Sequence, residues 1–168
     1  MSASTQVTTE RLELRPLPSA AARALPSDRR TAERLLEATL SPAWPQGDLL
    51  DVLPMQVAAD AAAEPYGVWV IVERAGREVI GDIGFMGPPD GGESVELGYS
   101  LVPDRRRRGY ATEAARAMIG WAFQQPGVSR VIAHCDADNE PSTRVLERTG
   151  FQRTGVVGGR LQWRIGRS

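Results

Sequence analysis

The sequence predicts a mixed α/β domain: a mostly antiparallel sheet with about four helices packed against it. Three observations carry this expectation. Short apolar runs with two-residue alternation recur from VTTERLELRP (7–16) to RLQWRIG (160–166). Helical spacing of apolar residues appears between them, most clearly in GYATEAARAMIGWAFQQ (109–125). That helix joins two strands, 94–102 and 129–135, and a strand–helix–strand connection makes its two strands parallel.

Taken in order, VTTERLELRP alternates around Leu12 and Leu14 and reads as a first strand. Residues 28–40 place Ala32, Leu35, Leu36 and Leu40 at helical spacing, and the prolines of SPAWPQGD stop that helix. A short second helix is expected near 55–63. GVWVIVERAGREVIGDIGFMG and ESVELGYSLV supply three strands, the first two joined across the RAGR turn. The central helix buries Ala114, Ala115, Met118, Ile119 and Ala122 on one face. SRVIAHC (129–135) is the fifth strand, and 141–149 form a helix ended by Gly150. FQRTGVV and RLQWRIG flank a Gly-Gly hairpin turn.

The chain of 168 residues reads as one domain, 1–168, with 42% hydrophobic and 24% charged residues. MSASTQVTTERLELRPL carries no apolar segment of a secretory signal. The longest strongly apolar run, VWVIV (68–72), is far short of the ~20 residues that cross a bilayer. A lone cysteine, Cys135, cannot form an intrachain disulfide, so a soluble cytoplasmic protein is expected. All twenty basic residues are arginine, which excludes Schiff-base and P-loop lysine chemistry.

The chain is formally −1, yet PDRRRRGYATEA (103–114) sets four arginines directly before a helix. The first turn of a helix leaves backbone N–H groups unpaired and carries a partial positive charge. Gly109 permits an unusual backbone angle and Ala111 keeps bulk away from an approaching ligand. Converging amides and guanidinium groups suit a pyrophosphate. A turn whose arginines merely face water is equally compatible with the spacing. Neither GxxxxGK[ST] nor GxGxxG is present, and Gly81, Gly84 and Gly87 do not open a helix, so nucleotide folds of those kinds are disfavoured. Nucleic-acid binding is disfavoured too, because the basic patch is single and lacks interleaved aromatics.

Arg106-Arg107-Arg108-Gly109-Tyr110-Ala111 matches the [QR]-x-x-G-x-[GA] signature, and the chain here resembles the GCN5-related N-acetyltransferase (GNAT) superfamily. VELGYSLVPDRRRRGYATEAARAMIGWAF and GVSRVIAHCDADNEPSTRVLERTGF are similar to its RimJ/RimL-type branch, as are TERLELRPL and WVIVERAGREVIGDIGF. The resemblance implies the GNAT fold, with the strand ending at Leu101 and Val102 splayed from the strand ending near Cys135. It implies acetyl-CoA as cofactor, with its pyrophosphate on the amides of residues 107 to 112. Arg106, Arg107, Arg108, Gly109, Tyr110, Ala111 and Thr112 then form the phosphate cradle. Pantetheine would pair with the backbone of Leu101 and Val102, and the Val102 amide would polarise the thioester carbonyl.

Acetyl transfer to an amine asks for a base, a stabilised oxyanion and a proton for the leaving thiolate. Glu96 is the expected base: it shares a strand face with Gly98, Ser100 and Val102, although a cross-strand charge pair gives the same pattern. Ser142 is the expected acid, as its counterparts in the resembling family imply, and also lies where a serine can bond its own helix start. Asn139 falls where the family holds pantetheine, or caps the helix. Trp44 and Trp163 are candidates for the acceptor pocket, with core packing equally compatible for Trp163. His134, Cys135, Asp136 and Asp138 do not converge as a metal site, since neighbours on a strand point to opposite faces. The expected partner is an amine acceptor, a protein N-terminus or a small molecule, with no nucleic acid and no membrane, on a monomer or homodimer. A non-catalytic acetyl-CoA-binding module is the alternative.

Overall fold

A computed structural model of the protein describes residues 5–58 and 64–167. Its strands are β1 (Val7–Thr8), β2 (Leu12–Pro16), β3 (Thr39–Leu40), β4 (Val68–Glu73), β5 (Glu78–Phe85), β6 (Ser94–Leu101), β7 (Arg130–Cys135), β8 (Gln152–Val157) and β9 (Arg160–Gly166). Its helices are α1 (Ser19–Ala24), α2 (Arg29–Leu36), α3 (Gly47–Ala58), α4 (Tyr110–Phe123) and α5 (Glu140–Arg148). The sheet runs β1-β2-β4-β5-β6-β7-β9-β8, with β3 alongside the start of β5. All neighbours are antiparallel except β6 with β7 and the two-residue β3 with β5.

The parallel pair follows from α4, whose buried face is the one the alternating alanines announce: Ala114, Ala115, Met118 and Ala122 are all buried. Trp121 extends that face. Its ring lies 5.2 Å from Trp69 and 5.8 Å from Phe85, so α4 is anchored on β4 and β5 by aromatic packing. The odd-numbered residues Val95 and Leu97 of β6 and Val131, Ala133 and Cys135 of β7 face α4 and α5. Glu96, Ile132 and His134 face the other way.

Several boundaries differ from the sequence expectation. The first strand is a small hairpin, broken at Thr9–Arg11, where the Thr9 amide donates to the Leu12 carbonyl. The helix expected over 28–40 ends at Leu36 because Glu37 adopts the left-handed conformation (φ 51°), freeing Thr39–Leu40 to pair with β5. Leu35 is therefore exposed, whereas Ala32 and Leu36 are buried. The second expected helix begins earlier, at Gly47, and residues 59–63 of that expectation lie outside the described residues. Helix α1 had no clear periodic signal; its two buried alanines, Ala21 and Ala22, are too small to mark a stripe. Among the described residues no helix is long and apolar enough to cross a membrane.

Candidate active site

Ladder pairing between β6 and β7 runs from Ser94–Arg130 to Leu97–Ala133 and goes no further. Past that point the strands part, and an open cleft of about 920 Å³ lies between β6, the start of α4 and α5. Its lining contains Leu101, Arg106, Arg107, Gly109, Tyr110, Ala111, Thr112, Asn139 and Ser142 of the sequence candidates. Tyr99, Ser100, Arg144 and Arg148 line it as well. Ser100, between Tyr99 and Leu101 in the strand, carries its side chain on the opposite face of the sheet, where it pairs with Asp82.

The head of the cleft is the N-terminus of α4. Gly109 is the N-cap in the left-handed region (φ 83°), and no side chain caps the helix. The first-turn amides are thus left for an external acceptor. A Cβ at Gly109 would stand 3.2 Å from the Arg11 guanidinium. Arg11 braces this turn from the N-terminal strands: its Nη1 donates to the Arg108 carbonyl (2.8 Å) and its guanidinium stacks 4.3 Å from the Tyr110 ring centroid. Its Nε also pairs with Glu113 (2.7 Å). Burial pushes the Glu113 carboxyl up, but hydrogen bonds from the Thr9 hydroxyl, the Arg11 amide and the Arg11 guanidinium outweigh it and hold the group below its ordinary value.

The four arginines divide their roles. Arg105 turns away from the cleft to Glu78 (3.0 Å) and Glu73 (3.5 Å). Arg106 lines the cleft while its Nε donates to the Leu101 carbonyl (3.0 Å). Arg107 takes a positive φ (64°) and also lines it. Arg108 is exposed and outside the lining, a correction to its expected place in the cradle. The other side of the cleft gains cations that the sequence reading missed, Arg144 and Arg148. Their spacing of four residues on α5 was the available signal.

Val102 requires a second correction. It is fully buried, and its amide donates to the Ile80 carbonyl (2.9 Å), so it cannot polarise a group in the gap. The Met86 amide likewise donates to the Glu96 carbonyl (3.0 Å). Even-numbered residues of β6 thus turn their backbone polar groups to β5, and odd-numbered ones turn theirs to the β7 side. The amides facing the gap belong to Tyr99 and Leu101.

Ser142 opens α5 with its amide held by the Asn139 side chain (3.1 Å), which makes Asn139 the helix cap. The Ser142 hydroxyl does not fold back on its own helix. It lies 2.7 Å from the Tyr99 hydroxyl across the gap. Burial pushes the Tyr99 phenol up, against the hydrogen bond with Ser142, so it stays protonated.

Glu96 lies outside the cleft lining, on the opposite face, with one carboxylate oxygen 3.2 Å from His134 Nδ1. It keeps a third of its side-chain surface exposed. His134 and Cys135 do point apart: the thiol sits 3.8 Å from the Thr143 hydroxyl on the α5 side. Trp44 is buried beneath the face that bears Glu96, its indole N–H donating to Asp82 (2.9 Å). Trp163 takes the core alternative and is removed from the acceptor pocket. It pairs in register with Ala133, whose side faces α5, and it is core.

A sheet opened between two parallel strands, over the free N-terminus of a helix, is the arrangement of the GNAT fold. The chain belongs to the acetyltransferase (GNAT) domain family, whose model matches residues 11–152. YjdG of Bacillus subtilis (strain 168), described as an uncharacterized N-acetyltransferase, is 34% identical over 111 residues, 64% of this chain and 66% of YjdG. YoaA of the same organism, with the same description, is 36% identical over 104 residues, 61% of this chain and 59% of YoaA. Neither alignment reaches two thirds of the relative's length. The crystal structure of an acetyltransferase from Agrobacterium tumefaciens str. C58 superposes with a TM-score of 0.67 at 27% identity, covering 99% of this chain and 97% of that one. RimL, a ribosomal L7/L12 α-N-protein acetyltransferase solved with coenzyme A, shares the fold at a TM-score of 0.70 and 17% identity, over 96% and 98% of the two chains.

Proposed function

We propose that the protein is an acetyl-CoA-dependent N-acetyltransferase that acts on a primary amine by direct attack within a ternary complex. The observation that carries this reading is the junction of two features in one cleft: the uncapped N-terminus of α4 and the interrupted pairing of β6 with β7. The residues fit the cofactor. Three first-turn amides, Arg106, Arg107 and the α5 arginines offer charge for its phosphates, and the free edge of β6 offers a backbone for its extended arm. Bound acetyl-CoA supplies the activated acyl group as a thioester.

The chain's own groups serve the remaining needs. The Leu101 and Tyr99 amides face the gap, where a carbonyl would gain negative charge. Glu96, on the face opposite the cofactor cleft, accepts the proton of the attacking ammonium, directly or through water, and His134 fixes the orientation of its carboxylate. Ser142 returns a proton to the leaving sulfur, and Tyr99 holds that hydroxyl in place. No protein nucleophile is required.

The test is thiol release from acetyl-CoA in the presence of peptides, polyamines and aminoglycosides, alongside calorimetric titration with CoA. Amine-dependent release supports the reading. CoA binding without release on any amine assigns a non-catalytic binding module, and the absence of CoA binding overturns both.

A further inference from the structure

On the sheet face opposite α4 and α5 lies an acidic group, Asp82, that the mechanism above does not use. Asp82 lies on β5 directly across from Ser100, and cross-strand partners project to the same face about 5.5 Å apart at the backbone. Ser100 is also one of the residues lining the cleft, so Asp82 stands one residue pair from the cofactor cleft. Gln46 ties this corner to the lip of the gap, donating to the Leu101 carbonyl (2.9 Å) and bonding the Ser100 hydroxyl (3.3 Å). An acceptor amine must approach from this face when the acyl carrier fills the cleft on the other.

The carboxylate is held rigidly. The Trp44 indole N–H donates to one oxygen, and Arg29 locks the Trp44 loop through the Trp44 carbonyl (2.6 Å) and the Ser41 carbonyl (3.0 Å). In a chain with twenty arginines, no ion pair to Asp82 occurs among the described residues. Instead a second acid, Asp48 in the first turn of α3, adds charge of the same sign. Burial, with that repulsion and against the indole hydrogen bond, pushes the Asp82 carboxyl up to about 7. A partly buried carboxylate without a cation is costly to keep, and such groups concentrate where a ligand supplies the missing charge.

We propose that Asp82 anchors a second cationic group of the acceptor, so that the protein selects diamine-type acceptors over simple monoamines. This deepens the acetyltransfer reading and rests on it. Asp82 is half-buried rather than sealed in the core, and its cross-strand partner Ser100 lines the cleft. An ammonium hydrogen-bonded to a carboxylate in such surroundings gains the strength of a charge-assisted contact.

The test compares putrescine with butylamine, equal in carbon count, as acceptors for acetyl-CoA, using the wild type, Asp82→Asn and Asp48→Asn. The expected wild-type kcat/KM for putrescine exceeds that for butylamine by about tenfold. Asp82→Asn should collapse that ratio by about tenfold, chiefly through KM for putrescine. Asp48→Asn, at an exposed position where folding is not at stake, should lower it about twofold. A wild type that does not discriminate the two amines overturns the anchor, as does an Asp82→Asn variant that keeps the preference. Calorimetry of putrescine on the CoA-loaded protein separates this from the wider reading. If no amine is acetylated, the acetyltransfer reading falls; putrescine binding weakened by Asp82→Asn still supports the anchor, and binding indifferent to it overturns it.

Discussion

The Tyr99 hydroxyl and the Ser142 hydroxyl meet at 2.7 Å, from β6 on one side of the open gap and α5 on the other. Two hydroxyls in contact can share one donated proton, and the half-buried phenol, its pKa raised, stays protonated at neutral pH. The contact therefore positions the Ser142 hydroxyl, and under the proposed mechanism it keeps a proton at hand for the leaving sulfur. Ser142→Ala should lower kcat at least about tenfold with CoA affinity retained. Tyr99→Phe should lower it less, and the double variant should match Ser142→Ala alone, because the two act as one unit. Additive losses in kcat would sever the pair.

Gly109→Val should weaken CoA binding and the fold together. A β-branched residue at φ 83° costs about 1–2 kcal/mol in backbone strain, and its Cβ would crowd the Arg11 guanidinium at 3.2 Å. Titration calorimetry and thermal melting read the two effects separately. Native CoA affinity in this variant would displace the cofactor from the head of α4.

Glu96→Gln should slow turnover most near neutral pH and least at high pH, where an acceptor amine with a pKa near ~8 sheds its own proton. CoA affinity should be unaffected, because Glu96 lies outside the cofactor cleft. A pH–rate profile checks this, and a uniform ratio of rates across it removes Glu96 from proton transfer.

Stability should depend on pH through Asp82. Its folded pKa of about 7 exceeds the ordinary 3.8, so the folded protein holds a proton that the unfolded chain releases between those values. That contribution is present in full below pH about 4 and is lost as pH rises to about 7. The facing acid is Asp48, which enlarges the effect. Asp82→Asn should flatten this decline, so that its melting temperature gains on the wild type as pH rises through the window. Parallel curves for the two proteins would refute the assignment.

Glu113 should act with the opposite sign. Its folded pKa is lowered, so its contribution is present above the ordinary glutamate value near 4.5 and is lost on acidification. Glu113→Gln should destabilise the protein by about 1 kcal/mol at neutral pH, since Arg11 is partly exposed and solvent screens the pair. Denaturant unfolding at neutral and at acid pH should show the difference shrinking in acid.

The order of elements around the site was legible in the chain because periodicity and turn chemistry are local. The alanine stripe of α4, the Gly-Gly turn before β9 and the glycine ahead of Tyr110 each announce themselves within a few residues. Glu37 is the exception: a left-handed glutamate carries no sequence signal, and the helical spacing of 28–40 runs on past the point where it ends the helix. The cleft residues Arg106, Arg107 and Gly109 to Thr112 could be named, without Arg108, because a helix N-terminus places its own amides.

Sequence by itself determined the fold, the parallel pair and the segment that opens α4, since backbone conformation there depends on neighbours in the chain. It could not decide which way side chains and amides turn. Arg105 was drawn to Glu73 and Glu78 rather than to the cleft, and Val102 spent its amide on Ile80. The lone acid in VIGDIGF was visible, but its meaning came from Trp44, thirty-eight residues earlier, and from Ser100 on the next strand. Those choices were made by tertiary structure, because a polar group settles on whichever partner folding brings within hydrogen-bond reach.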